Sequence, residues 1–424
     1  MVLAIWFLEL GSCSPNWRNW FLDAYLYSMR FLFDLHPLLR LGFLVITILP
    51  GQFIHAQKDI ASEFRVVDTA IFQDASHHWY DLHEKDRVIQ PKPNQPRYKA
   101  TELEAIGDNI LLYQKDNGGW AKNYDMLAIL TPEQKDSLVK DKTVLNTTFD
   151  NRTTYSHVET LAKIYYVTKN EKYKQGALKG LDYILASQYA NGGWPQYFPL
   201  ENNYSRYITY NDDVFSGIMW LLKDITDGKP QYGFVDTDHR QKLKSAYEKG
   251  LQCILRTQIN DNGKPTAWCQ QYNEVTLEPA WARKFEPPSI CNGESVEVVA
   301  FLMSIDHPSP EIIRAVQNAV AWFRESEIMN TRVKTIAAPD LVTPYLISKT
   351  DKVVVRDSTA PPIWTRYYEL KTHRPLFCNR DSKVVYSLAE VERERRDGYG
   401  WYTYAPQKIL DRYSKWVIAS LRSQ

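Results

Sequence analysis

Charge of either sign is not in excess in this chain of 424 residues: 51 Lys and Arg stand against 50 Asp and Glu. Without a basic surplus there is no electrostatic footprint for nucleic acid or for anionic lipid. Cysteine is scarce, at five residues. No C-x-x-C pair and no Cys/His cluster occurs, so a zinc site of the usual spacing is excluded. Cys13 lies outside the expected mature chain. Cys253, Cys269, Cys291 and Cys378 are expected as buried thiols or one incidental bridge, because a chain of this length needs no disulfide framework. There is no βαβ alternation, no Gly-rich phosphate loop and no low-complexity tract. The Ser-His-Asp order, G-x-S-x-G and H-E-x-x-H are also missing, and the nine histidines are scattered. Long apolar runs are missing too: LGFLVITILPGQF (41–53) is too short to span a bilayer.

That run follows Arg30 and Arg40 and ends at Ile54-His55-Ala56, the layout of a secretory signal with a basic n-region, an h-region and a small residue at the cut. On this reading Met29 is the true start and residues 1–28 are an upstream artefact of start-site choice. Residues 29–56 are then the signal peptide, cleavage falls at Ala56/Gln57, and the protein is exported to the periplasm, the cell surface or the medium. A lipoprotein attachment at Cys13 is the alternative, but Glu9 interrupts its apolar run.

What is present is a repeat. QKDNGGW (Gln114–Trp120), QYANGGW (Gln188–Trp194) and QINDNGKPTAW (Gln258–Trp268) place their glutamines 74 and then 70 residues apart. Each follows apolar positions spaced by three and four, the mark of an amphipathic helix. The stripes run Leu103–Tyr113, Val158–Tyr165, Ala177–Gln188, Val214–Ile225, Leu243–Ile254, Val296–Met303 and Ile313–Phe323. A repeat of this length holds two helices and their connections. The fold class expected is therefore mainly α: an α/α toroid, a ring of helical hairpins with a cleft at one end. Residues 57–98, ending in Pro91, Pro93 and Pro96, read as a wrapping or linking segment, and 99–424 as the toroid domain. After about Asn330 short extended pieces (352–356, 363–370, 383–386) predict a mixed C-terminal region packed on the ring. Tyr, Trp and Phe number 27, 13 and 16; they suit thick helical cores and also ring-shaped polar ligands.

Two sets of residues could carry chemistry. Asp150 precedes the second stripe and Asp212-Asp213 the fourth, where Asp is a preferred N-cap. One cap explains one Asp, not an adjacent pair, and both sites could face one rim. Carboxylates gathered there are hard oxygen ligands suited to Ca²⁺, although a helix N-terminus disfavours a cation, so several would be needed, one of them from the ligand. The second set is arginines in loops: Arg283 in ARKFEPP, Arg366 in WTRYYE, Arg374 in HRP and Arg380 in NRD. Arginines alternating with aromatics can fork onto carboxylates and stack on sugars. Lys122 follows the first GGW turn and could aim inwards. Acids and arginines are a sensible kit for a polyanionic substrate.

NGGWAKN (117–123), FDNRTT (149–154), QYANGGWPQYFPL (188–200), ITYNDD (208–213), TAWCQQY (266–272), ARKFEPPS (282–289), GESVEVVAFLMS (293–304), APPIWTRYYELKTHRPLFCNRD (360–381) and ERRDGYGWYTYAP (394–406) occur in this order. The ordered set resembles the family 10 pectate lyases from about residue 80 to near the C-terminus. The resemblance implies a secreted enzyme that cleaves polygalacturonate by Ca²⁺-assisted β-elimination. It implies Arg283 as the base, Asp212 as a calcium ligand, and Asp150 as a partner at the calcium and substrate-carboxylate site, with Arg366, Arg374 and Arg380 as clamps for uronate carboxylates. The chain departs from the family pattern at Ala121 (usually Pro), at Arg152 (usually a small residue) and at 289–292, which replace a Ser/Gly-rich stretch. A monomer is expected, with no membrane span in the mature chain and an alkaline optimum, because neighbouring cations should lower the pKa of Arg283. The rival readings are a glycoside hydrolase using Asp150 and Asp212 as acid and base, a terpene-type enzyme, for which NDD alone is too thin, and a non-catalytic polysaccharide-binding protein.

Overall fold

The structure, a computed structural model, describes residues 60–81 and 87–422. The leader, its cleavage point and the start-site reading lie outside the described residues. After a single helical turn at Ile60–Glu63, helix α1 (Gln73–Tyr80) buries Trp79, and Phe72 just before it joins the same core. Then come α2 (Leu103–Tyr113), α3 (Pro132–Lys140), α4 (Tyr155–Thr168), α5 (Glu171–Ser187), α6 (Val214–Thr226), α7 (Thr237–Thr257), α8 (Asn292–Leu302), α9 (Pro310–Glu325) and α10 (Ala405–Arg422). The protein is mainly α. Helices α4 and α5, α6 and α7, and α8 and α9 pair as hairpins.

The hairpins stand side by side in two rows. In one row α2, α4, α6, α8 and α10 touch in succession; in the other α5, α7 and α9 do. Burial distinguishes the rows. Helix α6 buries neighbouring positions on several faces, Val214, Phe215, Ser216, Ile218, Met219, Leu221 and Leu222 among them. Helix α7 buries a single stripe, Leu243, Ala246, Tyr247, Gly250, Cys253, Ile254 and Thr257, so it has one wet face.

The repeated turn carries its own fastening. Gln114 Nε2 donates to Gly118 O (2.8 Å) and to Gly176 O of α5 (2.9 Å). Gln188 does the same with Gly192 O (3.0 Å) and Ala246 O of α7 (2.9 Å). Gln258 reaches Thr266 O (3.0 Å) and Ala315 O of α9 (2.9 Å). One amide thus satisfies a turn carbonyl and a carbonyl of the outer-row helix behind it, neither of which can be left bare in a dry interior. Gly118 and Gly192 have φ of +92° and +97°, and a Cβ on either would press on the carbonyl of Lys179 or Lys249. Each turn lands on a fully buried Trp whose indole donates back to the preceding helix: Trp120 to Ile110 O (2.7 Å), Trp194 to Ile184 O (3.0 Å) and Trp268 to Ile254 O (2.8 Å).

A fourth copy of this unit exists. Trp364 donates to Phe323 O of α9 (2.7 Å), and Ile328 pairs with Ile363 through backbone bonds of 2.8 and 3.1 Å, much as Ile259 pairs with Ala267 and Thr266. Sequence spacing hides it because a long antiparallel hairpin, β2 (Thr331–Val342) and β3 (Ile347–Arg356), is inserted where the other turns have a few residues. The short strands β1 (Ile290–Cys291), β4 (Tyr367–Tyr368), β5 (Pro375–Cys378) and β6 (Val384–Val385) form one antiparallel sheet in the order β6-β5-β4-β1. The expected mixed C-terminal region needs one correction: the chain ends in helix α10, which packs on α8 and α9 through a stripe at Ile409, Tyr413 and Trp416. The four cysteines from Cys253 on are free and buried.

Candidate active site

The segments after successive Trp landings run side by side, and this places the site. Thr148 N donates to Trp120 O (2.9 Å) and Phe149 N to Gln196 O (2.9 Å), which fixes Asp150 at the end of the first connection. Thr209 N donates to Trp194 O (3.0 Å) and Asn211 N to Gln270 O (3.1 Å), which fixes the second. Both connections then make one 3₁₀ turn, Asp150–Arg152 and Asn211–Asp213, and these turns touch. The middle residues Asn151 and Asp212 are left-handed, with φ of 50° and 52°, a conformation that Asn and Asp tolerate better than other side-chain-bearing residues.

The capping reading of these carboxylates does not hold. Helix α4 is capped by Thr154, whose side chain and that of His157 close a capping box, so Asp150 is free for another purpose. Asp213 occupies the N-cap position of α6 but makes no cap hydrogen bond.

Asp150 is buried, and Lys122 Nζ lies 2.7 Å from its Oδ2. Burial alone would raise this carboxyl, but Lys122, Gln196 and Arg283 hold it below the usual range. Burial likewise works against the Lys122 ammonium, yet Asp150 and Tyr197 keep its pKa raised. Asp150 Oδ1 is buried without a hydrogen-bond partner. Asp212 faces this charge: burial first and Asp150 second raise its carboxyl to about 7, against the pull of Arg283 and Arg366. Asp213, adjacent in sequence, diverges and pairs with Arg152 at 2.8 Å. Among the described residues no three His, Cys, Asp or Glu side chains gather closely enough to hold a metal by themselves.

Arg283 sits on a tight turn closed by Glu286 N to Arg283 O (2.8 Å), with Pro287 preventing a helix. Its guanidinium is clamped by the buried Glu286 through Nε (2.9 Å) and Nη2 (2.6 Å), and Tyr399 donates to the same carboxylate (2.8 Å). The expected lowering of the Arg283 pKa is therefore overturned in the free protein. Burial does oppose the charge, but Glu286, with a further contribution from Asp212, raises it well above the ordinary value. Arg366 joins the cluster from the C-terminal region: its Nη2 donates to Asn211 Oδ1 (3.1 Å) and pairs with Glu294 of α8, and its Nε is buried without a partner.

Arg380 is held fork-on-fork by Glu394 (2.7 and 2.8 Å) and lies 5.1 Å from the Phe285 ring. Arg395, which sequence reasoning did not single out, covers the same ring at 3.8 Å. Burial brings Arg395 down to about 10, and the like charges of Arg380 and Arg283 work in the same direction. Arg374 goes elsewhere: it is exposed and stacks 3.7 Å from the Tyr386 ring, with Glu369 as its neighbouring carboxylate. The cluster thus gathers Lys122, Asp150, Asp212, Arg283 and Arg366, with Arg380 and Arg395 beside the Phe285 ring that Arg283 also approaches at 5.2 Å. It suits a substrate that brings carboxylates of its own.

A profile of the pectic acid lyase family matches residues 114–410. The chain belongs to that family. The lyase also resembles solved structures of a family 10 polysaccharide lyase from Cellvibrio cellulosa, one of them an aspartate-to-alanine variant in complex with trigalacturonic acid. Each is 28% identical, with a TM-score of 0.62 over 74% of this chain and 92% of the other. No curated protein matches. The enzyme is accordingly a lyase acting on polysaccharides. Glu286, Glu294, Asn211 and Tyr399 of the lyase were not predicted as site residues. For Glu286 there was a signal: an acid three residues after Arg283 in a segment that prolines keep out of a helix can only fold back on it.

Proposed function

We propose that the protein is a pectate lyase that cleaves polygalacturonate by Ca²⁺-dependent β-elimination, with Arg283 as the base. The observation that carries this reading is the pairing of unmet negative and positive demand in one buried cluster. The bare Asp150 Oδ1 and the mutually repelling Asp150 and Asp212 call for a cation, and the half-exposed Arg283 and partly bare Arg366 call for carboxylates. These two aspartates fit calcium as a shared site. The ion takes about six to eight oxygens, so substrate carboxylate and water would supply the rest. Asp213 is engaged by Arg152 and is the weaker candidate of the adjacent pair.

The C5 proton of galacturonate is α to a carboxylate and barely acidic. Bound calcium would supply charge neutralisation at that carboxylate. Arg366 meets the enolate-like charge from a second side, where a preformed donor in a dry site is worth most. In its neutral form Arg283 takes the C5 proton on a guanidine nitrogen, the C5 electron pair forms the C4–C5 double bond as the C4–O4 bond breaks, and O4 leaves with that bond's electron pair and takes a proton from water. Glu286 fixes the plane of that guanidinium by gripping Nε and Nη2. Neutral arginine is rare, a fraction of roughly 10⁻⁴ at pH 10 in water and smaller beside Glu286, so activity should climb with pH through the alkaline range. Lys122 neutralises Asp150 and lines a cleft of about 450 Å³ with Tyr197 and Tyr204, a wall on which sugar rings can rest.

Closure of the two helix rows into an α/α toroid, export and action as a monomer belong to the same reading. Among the described residues no helix is long and apolar enough to cross a membrane. The test is ultraviolet absorbance of polygalacturonate incubated with the protein at alkaline pH, with calcium and with chelator. Calcium-dependent growth of double-bond absorbance is expected. Reducing ends that rise without it would favour a hydrolase using Asp150 and Asp212, and maximal activity near pH 5 would remove Arg283 from the role of base.

A further inference from the structure

The cleft does not stop at the catalytic cluster. Beside Asp212 it has a volume of about 580 Å³ and is walled on one side by Gln73, Asp74 and His77. Gln73 and His77 also line a second cleft of about 890 Å³, whose opposite wall is the tip of the inserted hairpin, Tyr345 to Ile347. The two clefts therefore adjoin, and the second is built largely from two parts outside the helical repeat: α1 and the β2–β3 hairpin.

Its chemistry differs from that of the centre. The centre gathers Lys122, Arg283 and Arg366. The arginine of the outer cleft, Arg97, is matched by Asp125: Nε lies 2.7 Å from Oδ2 and Nη2 3.3 Å from Oδ1, and Asp125 is fully buried. A uronate there would meet an ion pair. What the cleft offers instead is apolar and aromatic surface. Tyr345 and Ile347 are 62% and 59% exposed, and Tyr80 is 39% exposed with its ring fixed by a 3.0 Å hydrogen bond from its hydroxyl to Asp125. Tyr345 is held as well, because the Arg380 guanidinium lies 3.7 Å from its ring while Glu394 grips that guanidinium from the side. Aromatic faces held in this way stack on pyranose rings without needing a charge on them.

We propose that the hairpin tip and α1 form a distal subsite that accepts an uncharged sugar, namely galacturonate carrying a methyl ester, while the centre takes free carboxylates. The inference rests on the lyase reading above. The enzyme then prefers partly esterified chains, with the unesterified unit at the centre and an esterified unit some positions away.

The test compares kcat/KM on partly methyl-esterified and on unesterified polygalacturonate for the full protein and for Tyr345→Ala, Tyr345→Phe and Ile347→Lys. The esterified-to-unesterified ratio should fall about three- to tenfold in Tyr345→Ala, the scale of a lost stacking contact. Phe should restore it, since the ring suffices. Ile347→Lys should lower the ratio at least as far, by adding a cation to a lining whose Arg97 is already matched by Asp125. A ratio that neither Tyr345→Ala nor Ile347→Lys moves overturns the subsite while leaving the lyase activity standing. Calorimetric titration of a methyl-esterified oligogalacturonide, in chelator, gives a readout independent of turnover. Weaker binding by Tyr345→Ala supports the subsite even for a protein without lyase activity, and equal binding overturns it.

Discussion

Replacing Lys122 by Met keeps the stem of the side chain and removes the ammonium that lies 2.7 Å from Asp150 Oδ2. Asp150 is then a buried carboxylate whose nearest cation is gone and whose other oxygen already lacks a hydrogen-bond partner. Breaking a buried pair from one side costs about 3–5 kcal/mol, and the remaining charge of Arg283 argues for the lower end. For a unit of this size that corresponds to a fall in Tm of roughly 4–6 °C, measured in chelator. Calcium should respond in the opposite sense. At an effective dielectric near 20, a unit charge about 6 Å from a divalent ion contributes roughly 5 kcal/mol of repulsion, and a third of that is already about tenfold in affinity. Lys122→Met should therefore bind calcium at least about tenfold more tightly without substrate, and calcium should restore most of the lost Tm. Turnover should fall all the same, because Lys122 lines the cleft beside Tyr197 and Tyr204. The assays are calorimetric calcium titration and thermal melts with calcium or chelator. Calcium affinity that is unchanged or weaker in Lys122→Met would refute the assignment of Asp150 to the cation site.

Asp212 supplies a pH test. Its folded-state carboxyl is raised to about 7, above its unfolded value, so its contribution to stability is full below about pH 4 and is lost as pH rises through 7. Asp212→Asn removes that loss: in chelator at pH 8 the variant should be more stable than the parent by on the order of 1 kcal/mol, after allowing for solvent screening, and calcium should raise its Tm less. Equal calcium-induced shifts in parent and variant would exclude Asp212 as a ligand. Glu286→Gln should cut the limiting alkaline kcat by about ten- to a hundredfold with little change in KM, because Arg283 loses its bidentate grip, while the rise of activity with pH moves to lower pH, because the charge that raised the Arg283 pKa is gone; single-turnover double-bond absorbance across pH reads both, and a profile unchanged in height and position would mean that Glu286 does not orient the base. Gln188→Ala leaves the carbonyls of Gly192 and Ala246 without their donor and should cost about 1–3 kcal/mol, seen in urea melts, with kcat per folded molecule retained.

Much of the architecture was legible because it is local. A period near 3.6 marks seven of the eight helices from α2 to α9, α3 being the one not read, and the Q-x-x-NGG-W unit names its own parts: a glutamine that fastens two carbonyls, a glycine with positive φ and an indole that donates backwards. Each of these acts within a turn or between adjacent hairpins, so spacing alone displays them. The fourth unit, ending at Trp364, escaped notice because the β2–β3 hairpin separates its halves. Helix α10 carried the same signal, since Ile409, Tyr413 and Trp416 are spaced by four and three, but it follows a run of short extended pieces and was not read as a helix.

Sequence by itself determined which residue types reach the site: acids on the two connections after Trp120 and Trp194, and arginines in the loops that follow. Only the tertiary structure decided which charge meets which. Asp212 and Asp213 are neighbours along the chain, yet the left-handed turn sends one towards Asp150 and the other to Arg152. Arg366 donates to Asn211, 155 residues away, while Arg374, just beyond it in sequence, leaves for Tyr386. Arg283 was expected to have its pKa lowered by neighbouring cations, and in the free protein Glu286 instead stabilises its charged form. The physical reason is common to all three. Coulomb energies depend on separation and burial, and both are set by how distant loops pack, not by the pattern within any one of them.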